Sequence, residues 1–115
     1  MQSMTQAAHA YKAAANNRSQ RQQEADVFLR ATGALKASRE TESIQQVRAI
    51  ADNRRLWTTV VDLMRDPRNA LPRELRASIV SVGAAVQREM DREKPDFDFL
   101  IAVNENIAAG LCGQA

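Results

Sequence analysis

Only three prolines interrupt this 115-residue chain, Pro67, Pro72 and Pro95, and their positions dictate where regular structure can run. Proline lacks the N–H that an interior helical residue donates and biases its predecessor away from helical backbone. A helix predicted from Ile44 to about Arg65 must therefore stop at Asp66-Pro67, and residues 66–72 form a turn. Pro72 suits the first position of the next helix, where its missing N–H costs nothing. Leu75, Ile79, Val82, Val86 and Met90 then follow at spacings of four, three, four and four, one helical stripe. Lys94-Pro95 breaks that stripe, and Asp96 is placed to cap a last helix. Phe97, Leu100, Ile101, Asn104, Ile107 and Leu111 line one of its faces, with Gly110 expected to end it.

Upstream of Ile44 the punctuation is weaker. Ser43 and Gln46 have the spacing of a capping box. Val27, Phe28, Ala31, Ala34 and Leu35 share a stripe that predicts a helix over about 24–39, in which Gly33 suggests a close helix approach. Met4, Ala7, Ala8, Tyr11 and Ala14 also recur at helical spacing, but Asn16 to Gln23 offers almost nothing to bury. The expectation is an N-terminal arm over residues 1–23, partly helical and free to move, a domain over 24–111 and a short tail over 112–115. Aromatics are only 4% of the chain, which favours thin, Ala-lined helix packing over sheets. The predicted fold is all-α: a small, mostly antiparallel bundle of about four helices.

Against this regular background the exceptions are informative. On the Ile44–Arg65 helix, Ile44, Val47, Ile50, Ala51, Trp57 and Val61 span one broad apolar face, yet Arg54 projects near its middle and Asn53 lies at its edge. A guanidinium aimed into a core costs several kcal/mol (~3–5) unless paired. Arg54 therefore pairs with a carboxylate such as Asp98 or Asp62, snorkels to water, or meets acceptors on a partner. Leu56, Val60, Leu63 and Met64 carry the apolar surface further round, so this helix is either central in its domain or borders a groove that accepts another helix. Trp57 is a core anchor or a binding anchor.

Little in the chain supports chemistry. His9 is the only histidine and lies in the weakly apolar start, so a nucleophile with a His base is not supported, and no enzymatic activity is expected. The glycines are isolated rather than gathered in a phosphate loop, and Glu89, Asp91, Glu93, Asp96 and Asp98 lack the ladder of a calcium loop, so no cofactor or metal is expected. One cysteine, Cys112, excludes an internal disulfide and lacks a prenylation context. A net charge of +2, six basic and three acidic groups over residues 1–40, and five and seven over 73–115 leave no strong nucleic-acid footprint. Arg54, Arg55, Arg65, Arg68, Arg73 and Arg76 are diluted by Asp52, Asp62, Asp66 and Glu74. No stretch approaches the roughly 20 apolar residues that span a bilayer, and the start lacks a signal peptide, so a cytoplasmic protein is expected.

Asn53-Arg54-Arg55-Leu56-Trp57, then Asp66 through Asn69-Ala70-Leu71-Pro72, then Leu75-Arg76 and Ser81-Val82-Gly83 together resemble the FlaF family of flagellar biosynthesis regulators. The ending from Leu100 to Leu111 is similar to that family's ending, and Ala7 to Ala14 fits its start. The resemblance implies a cytoplasmic factor of alphaproteobacteria, needed for flagellin to accumulate and be exported, often alongside the flagellin repressor FlbT. Two mechanisms are compatible with it. In one, the protein is a secretion chaperone whose groove takes an amphipathic helix of unassembled flagellin. In the other, it regulates flagellin synthesis post-transcriptionally, through a protein such as FlbT rather than through direct RNA contact. For the chaperone, Leu56, Trp57, Val60, Met64, Leu71, Leu75 and Ile79 are the expected apolar contacts and Asn53 and Arg54 the polar register. Met4 to Ala14 is a candidate to shield the groove until flagellin displaces it.

Overall fold

The computed structural model describes residues 2–111, with side chains described at Ala7, Ala8 and 22–110. Four helices follow one another: α1 (Gln2–Ser38), α2 (Ser43–Arg65), α3 (Arg73–Met90) and α4 (Phe97–Leu111). α1 packs on α4 and α2, and α2 packs on α3. The short connections 39–42 and 66–72 make successive helices antiparallel, as expected of a bundle.

α1 begins earlier than the stripe over 24–39 indicates. No proline or glycine precedes Gly33, and Ala, Gln, Arg and Lys are good helix formers, so the backbone is helical from Gln2. Among the described side chains of α1, Gln22, Gln23 and Glu24 are exposed, and Ala25, Phe28, Ala31, Thr32, Leu35 and Ser38 are buried. The candidate shielding segment Met4 to Ala14 belongs to α1, but its side chains, apart from the exposed Ala7 and Ala8, lie outside those described, as does the tail 112–115.

Two local expectations are corrected. Ser43 and Gln46 form no capping box: Glu42 precedes α2 with no side-chain cap, and Gln46 Nε2 instead donates to Arg39 O at 3.0 Å, across the connection. Gly33 marks no close approach, since a Cβ there would meet nothing within 4 Å. Gly33→Ala should therefore stabilise the protein by up to about 1 kcal/mol by removing backbone freedom from the unfolded chain, read as a higher midpoint in thermal melting. An unchanged or lower midpoint would mean that α1 is held off helical geometry at this position.

Buried residues from all four helices meet in one core. Trp57 lies at its centre with no exposed surface, edge-on to Phe28 at 5.9 Å between ring centroids and 84° between planes. Leu35, Val86, Met90, Leu100 and Ile101 complete the surround. Ala49, Asn53, Trp57 and Val60 are the buried positions of α2. The predicted face is therefore rotated, for Ile44 and Val47 are 60% and 65% exposed. α3 keeps its stripe at Val82, Val86 and Met90, and α4 buries Leu100, Ile101, Asn104 and Ala108. Asp96 caps α4 as expected, accepting the Phe99 N–H at 3.1 Å. α4 continues past Gly110 to Leu111.

A candidate helix-binding groove

The end of α2 determines where an apolar opening forms. Asp66 leaves helical geometry at ψ 121° while its N–H still bonds Leu63 O at 3.3 Å. The last α2 carbonyls are then taken by side chains from downstream. Asn69 Nδ2 donates to Leu63 O at 2.9 Å, and the Arg76 guanidinium donates to Met64 O, Asp66 O and Leu71 O at 3.2, 3.3 and 3.1 Å. Arg68 closes the turn with two side-chain bonds to Asp66, which hold the Asp66 carboxyl below its ordinary pKa, helped by the Arg68 backbone N–H. Backbone groups that would otherwise need water are thus satisfied within the turn. Leu71 is held there by its own N–H, which donates to Asn69 Oδ1 at 2.9 Å.

The result is a groove of about 180 Å³ with an almost wholly apolar lining. α1 contributes Glu24, Val27 and Phe28, α2 contributes Leu56, Thr59, Val60, Leu63 and Met64, and Leu71, Ile79 and Ile107 come from the turn, α3 and α4. Val27 and Leu63, 46% and 47% exposed, stand on its rim. A second hollow shares Val27, Leu56 and Thr59 with the groove and adds Arg30, Ala31, Asp52 and Arg55, so the opening continues along α1 and α2 from an apolar end to a charged end.

Of the nine residues expected to contact a partner, the structure gathers Leu56, Val60, Met64, Leu71 and Ile79 in this groove. The other four are elsewhere. Leu75 is 45% exposed in the first turn of α3 but does not line the opening. Asn53 and Trp57 are fully buried and so reach no partner in this structure. Their polar atoms form a closed chain: Trp57 Nε1 donates to Asn104 Oδ1 at 2.9 Å, Asn104 Nδ2 to Asn53 Oδ1 at 2.7 Å, and Asn53 Nδ2 to Met90 Sδ at 3.4 Å. Among the described residues no buried side-chain nitrogen or oxygen is left without a partner. Such a network ties α2 to α3 and α4 in one register, because any slip orphans buried polar groups.

Arg54 has an internal role, with a different acceptor from those predicted. Its Nη1 bonds Asp91 at 2.8 Å and Gln87 at 3.2 Å, and Nη2 reaches Met90 O at 3.4 Å. Asp98, one predicted acceptor, pairs with Arg39 at 2.7 Å. The Arg54 side chain, 41% exposed, carries its guanidinium to the C-terminal end of α3, a favourable place for a cation. Arg54→Ala should cost only about 1 kcal/mol, as half-exposed pairs do, and should leave partner binding intact. A large loss of binding with an unchanged melting midpoint would return Arg54 to the binding surface.

Sequence periodicity missed the contribution of α1. Glu24, Val27 and Phe28 form one wall, whereas the expected contact residues all came from α2, the turn and α3. The available signal was the breadth of the 24–39 stripe, in which Val27 and Phe28 are adjacent and cannot both face the core centre.

Fold and groove together define a small all-α bundle with one elongated apolar opening flanked by arginines. The chain belongs to the FlaF family: the family model for flagellar protein FlaF matches residues 7–111, nearly its whole length. No curated protein and no solved structure matches it.

Proposed function

We propose that this protein is a cytoplasmic flagellar biosynthesis factor that binds unassembled flagellin and supports its export, without catalysis of its own. The observation that carries the reading is the groove lined by Leu56, Val60, Leu63, Met64, Leu71 and Ile79 on a member of a flagellar family. An apolar opening beside a helix pair suits the apolar face of an amphipathic helix. Flagellin segments that are disordered before assembly would fold on entering it, keeping surface that otherwise aggregates or polymerises early away from water. A volume of about 180 Å³ admits one large apolar side chain, comparable with the roughly 150 Å³ that holds a benzene. Neighbouring turns of the ligand would rest on Val27 and Leu63. No helix among the described residues is long and apolar enough to cross a membrane.

Calorimetric titration with monomeric flagellin tests the reading. One-to-one binding with a negative heat-capacity change is expected, and flagellin truncated at either end identifies the segment. Leu63→Asp, at a rim position where the fold tolerates a charge, should weaken binding by about tenfold or more by placing a carboxylate against apolar surface. Absence of flagellin binding, with salt-sensitive binding to the flagellin mRNA leader instead, would move the function to translational control.

A further inference from the structure

The two ends of the groove differ in charge, and the difference has a direction. α1 and α2 run antiparallel along it, so Glu24 lies beside Leu63 and Met64 at the apolar end while Arg30 lies beside Asp52 and Arg55 at the other. From Asp52 to Met64 the α2 wall rises about 18 Å, the length of a little over three helical turns. Among the described residues no carboxylate lies within ion-pairing distance of Arg30, and Arg55 meets Asp52 only at 3.8 Å with both side chains well exposed. Two guanidiniums and one carboxylate thus line this end, and among the described residues Glu24 is the charged side chain that lines the other.

Building on the flagellin-binding reading above, we propose that the groove reads the polarity of its ligand. It takes an amphipathic helix whose apolar stripe covers Leu56 to Met64 and whose C-terminal turn, bearing carboxylate side chains, lies against Arg30 and Arg55. A helix carries partial negative charge at its C-terminal end and partial positive charge at its N-terminal end. In this orientation the negative end and its carboxylates meet the arginines, and the N-terminal amides meet Glu24. The reverse orientation sets the N-terminal end against two guanidiniums and the C-terminal carbonyls against Glu24. Apolar burial supplies the attraction in either direction, so the charges decide the direction alone.

The proposal is tested with two synthetic amphipathic helices of about four turns, blocked at both termini and identical in composition and Leu stripe. One carries two Glu in its last turn and the other carries them in its first. As free peptides the second is the better helix, because acidic residues favour a helix N-terminus, so intrinsic helicity works against the expected result. The full chain should bind the first about tenfold more tightly at low salt. That preference should shrink in high salt and vanish in the double variant Arg30→Gln, Arg55→Gln, which retains apolar binding of both peptides. Leu63→Asp should weaken both, locating them in the groove. Equal affinities, a reversed preference, or a preference that survives removal of both arginines would overturn the inference while leaving the groove as a binding site. Failure of both peptides where monomeric flagellin still binds would also overturn it. Failure of flagellin as well would remove the flagellin-binding reading on which it rests.

Discussion

Trp57→Ala is expected to abolish cooperative unfolding of the bundle at ordinary temperature. Truncating a fully buried Trp costs about 3–5 kcal/mol through lost burial and the cavity it leaves. Here it also removes the Nε1 donor from Asn104, leaving the Oδ1 atom with one buried donor fewer, which adds about 1–3 kcal/mol. The sum is comparable with the whole stability of a domain this size, about 5–15 kcal/mol. Urea titration followed by helical circular dichroism reads the result as a collapsed or absent transition. Trp57→Phe separates the two contributions, since it keeps most of the ring burial against Phe28 and loses only the donor. A midpoint for Trp57→Ala near that of the parent protein would show that the ring is not the centre of the core. The same network predicts that Asn53→Ala and Asn104→Ala are not additive, because each already breaks the 2.7 Å bond between them.

Gly83→Leu should be nearly as damaging. A Cβ at position 83 would stand 2.6 Å from Val61 Cγ2 and 3.3 Å from Trp57 Cε3. Val61 is a half-buried, β-branched side chain with few rotamers, and Trp57 is fixed by its bond to Asn104, so neither can yield far. Overpacking a core costs about 1–3 kcal/mol and more where the neighbours are rigid. Gly83→Ala gives the more discriminating comparison, because about 1 kcal/mol of improved helix propensity opposes the steric cost. The expected order of stability is glycine, then alanine, then leucine, measured by thermal melting. An alanine variant more stable than the parent would show that α2 and α3 move apart freely. Set beside Gly33→Ala, the pair tests a single idea: a glycine inside a helix is required only where another helix lies against it.

Much of the bundle is written in local residue chemistry. Pro67 and Pro95 end α2 and separate α3 from α4 because proline cannot donate a helical hydrogen bond, whatever surrounds it. The stripe from Val82 to Met90 faces the core because residues three and four apart share a helix face. Asp96 caps α4 because a carboxylate three residues upstream can take the Phe99 N–H. The turn over residues 66–72, closed by Arg76, is similarly compact in sequence, and it and the C-terminal half of α2 supply Leu56, Val60, Met64 and Leu71, four of the five expected contact residues found in the groove. Each of these outcomes depends on groups no more than about three turns apart along the chain.

What tertiary structure alone decided lies where distant segments meet. Periodicity marks Asn53 and Asn104 as polar residues on apolar faces, but only the 2.7 Å approach of α2 and α4 turns two liabilities into one buried bond. By sequence Arg54 had Asp98, Asp62, water or a partner to meet, and the position of the α3 C-terminus selected Asp91. Gly33 and Gly83 are alike in sequence, and the crossing of α2 and α3 made only the second one indispensable. The groove itself needed α1, the turn, α3 and α4 to arrive beside α2, so no single stripe could reveal its walls. A sequence thus determines which surfaces seek burial, through short-range covalent geometry and helical periodicity. Which surfaces find it, and which remain open for another molecule, depends on the packing of helices far apart in the chain.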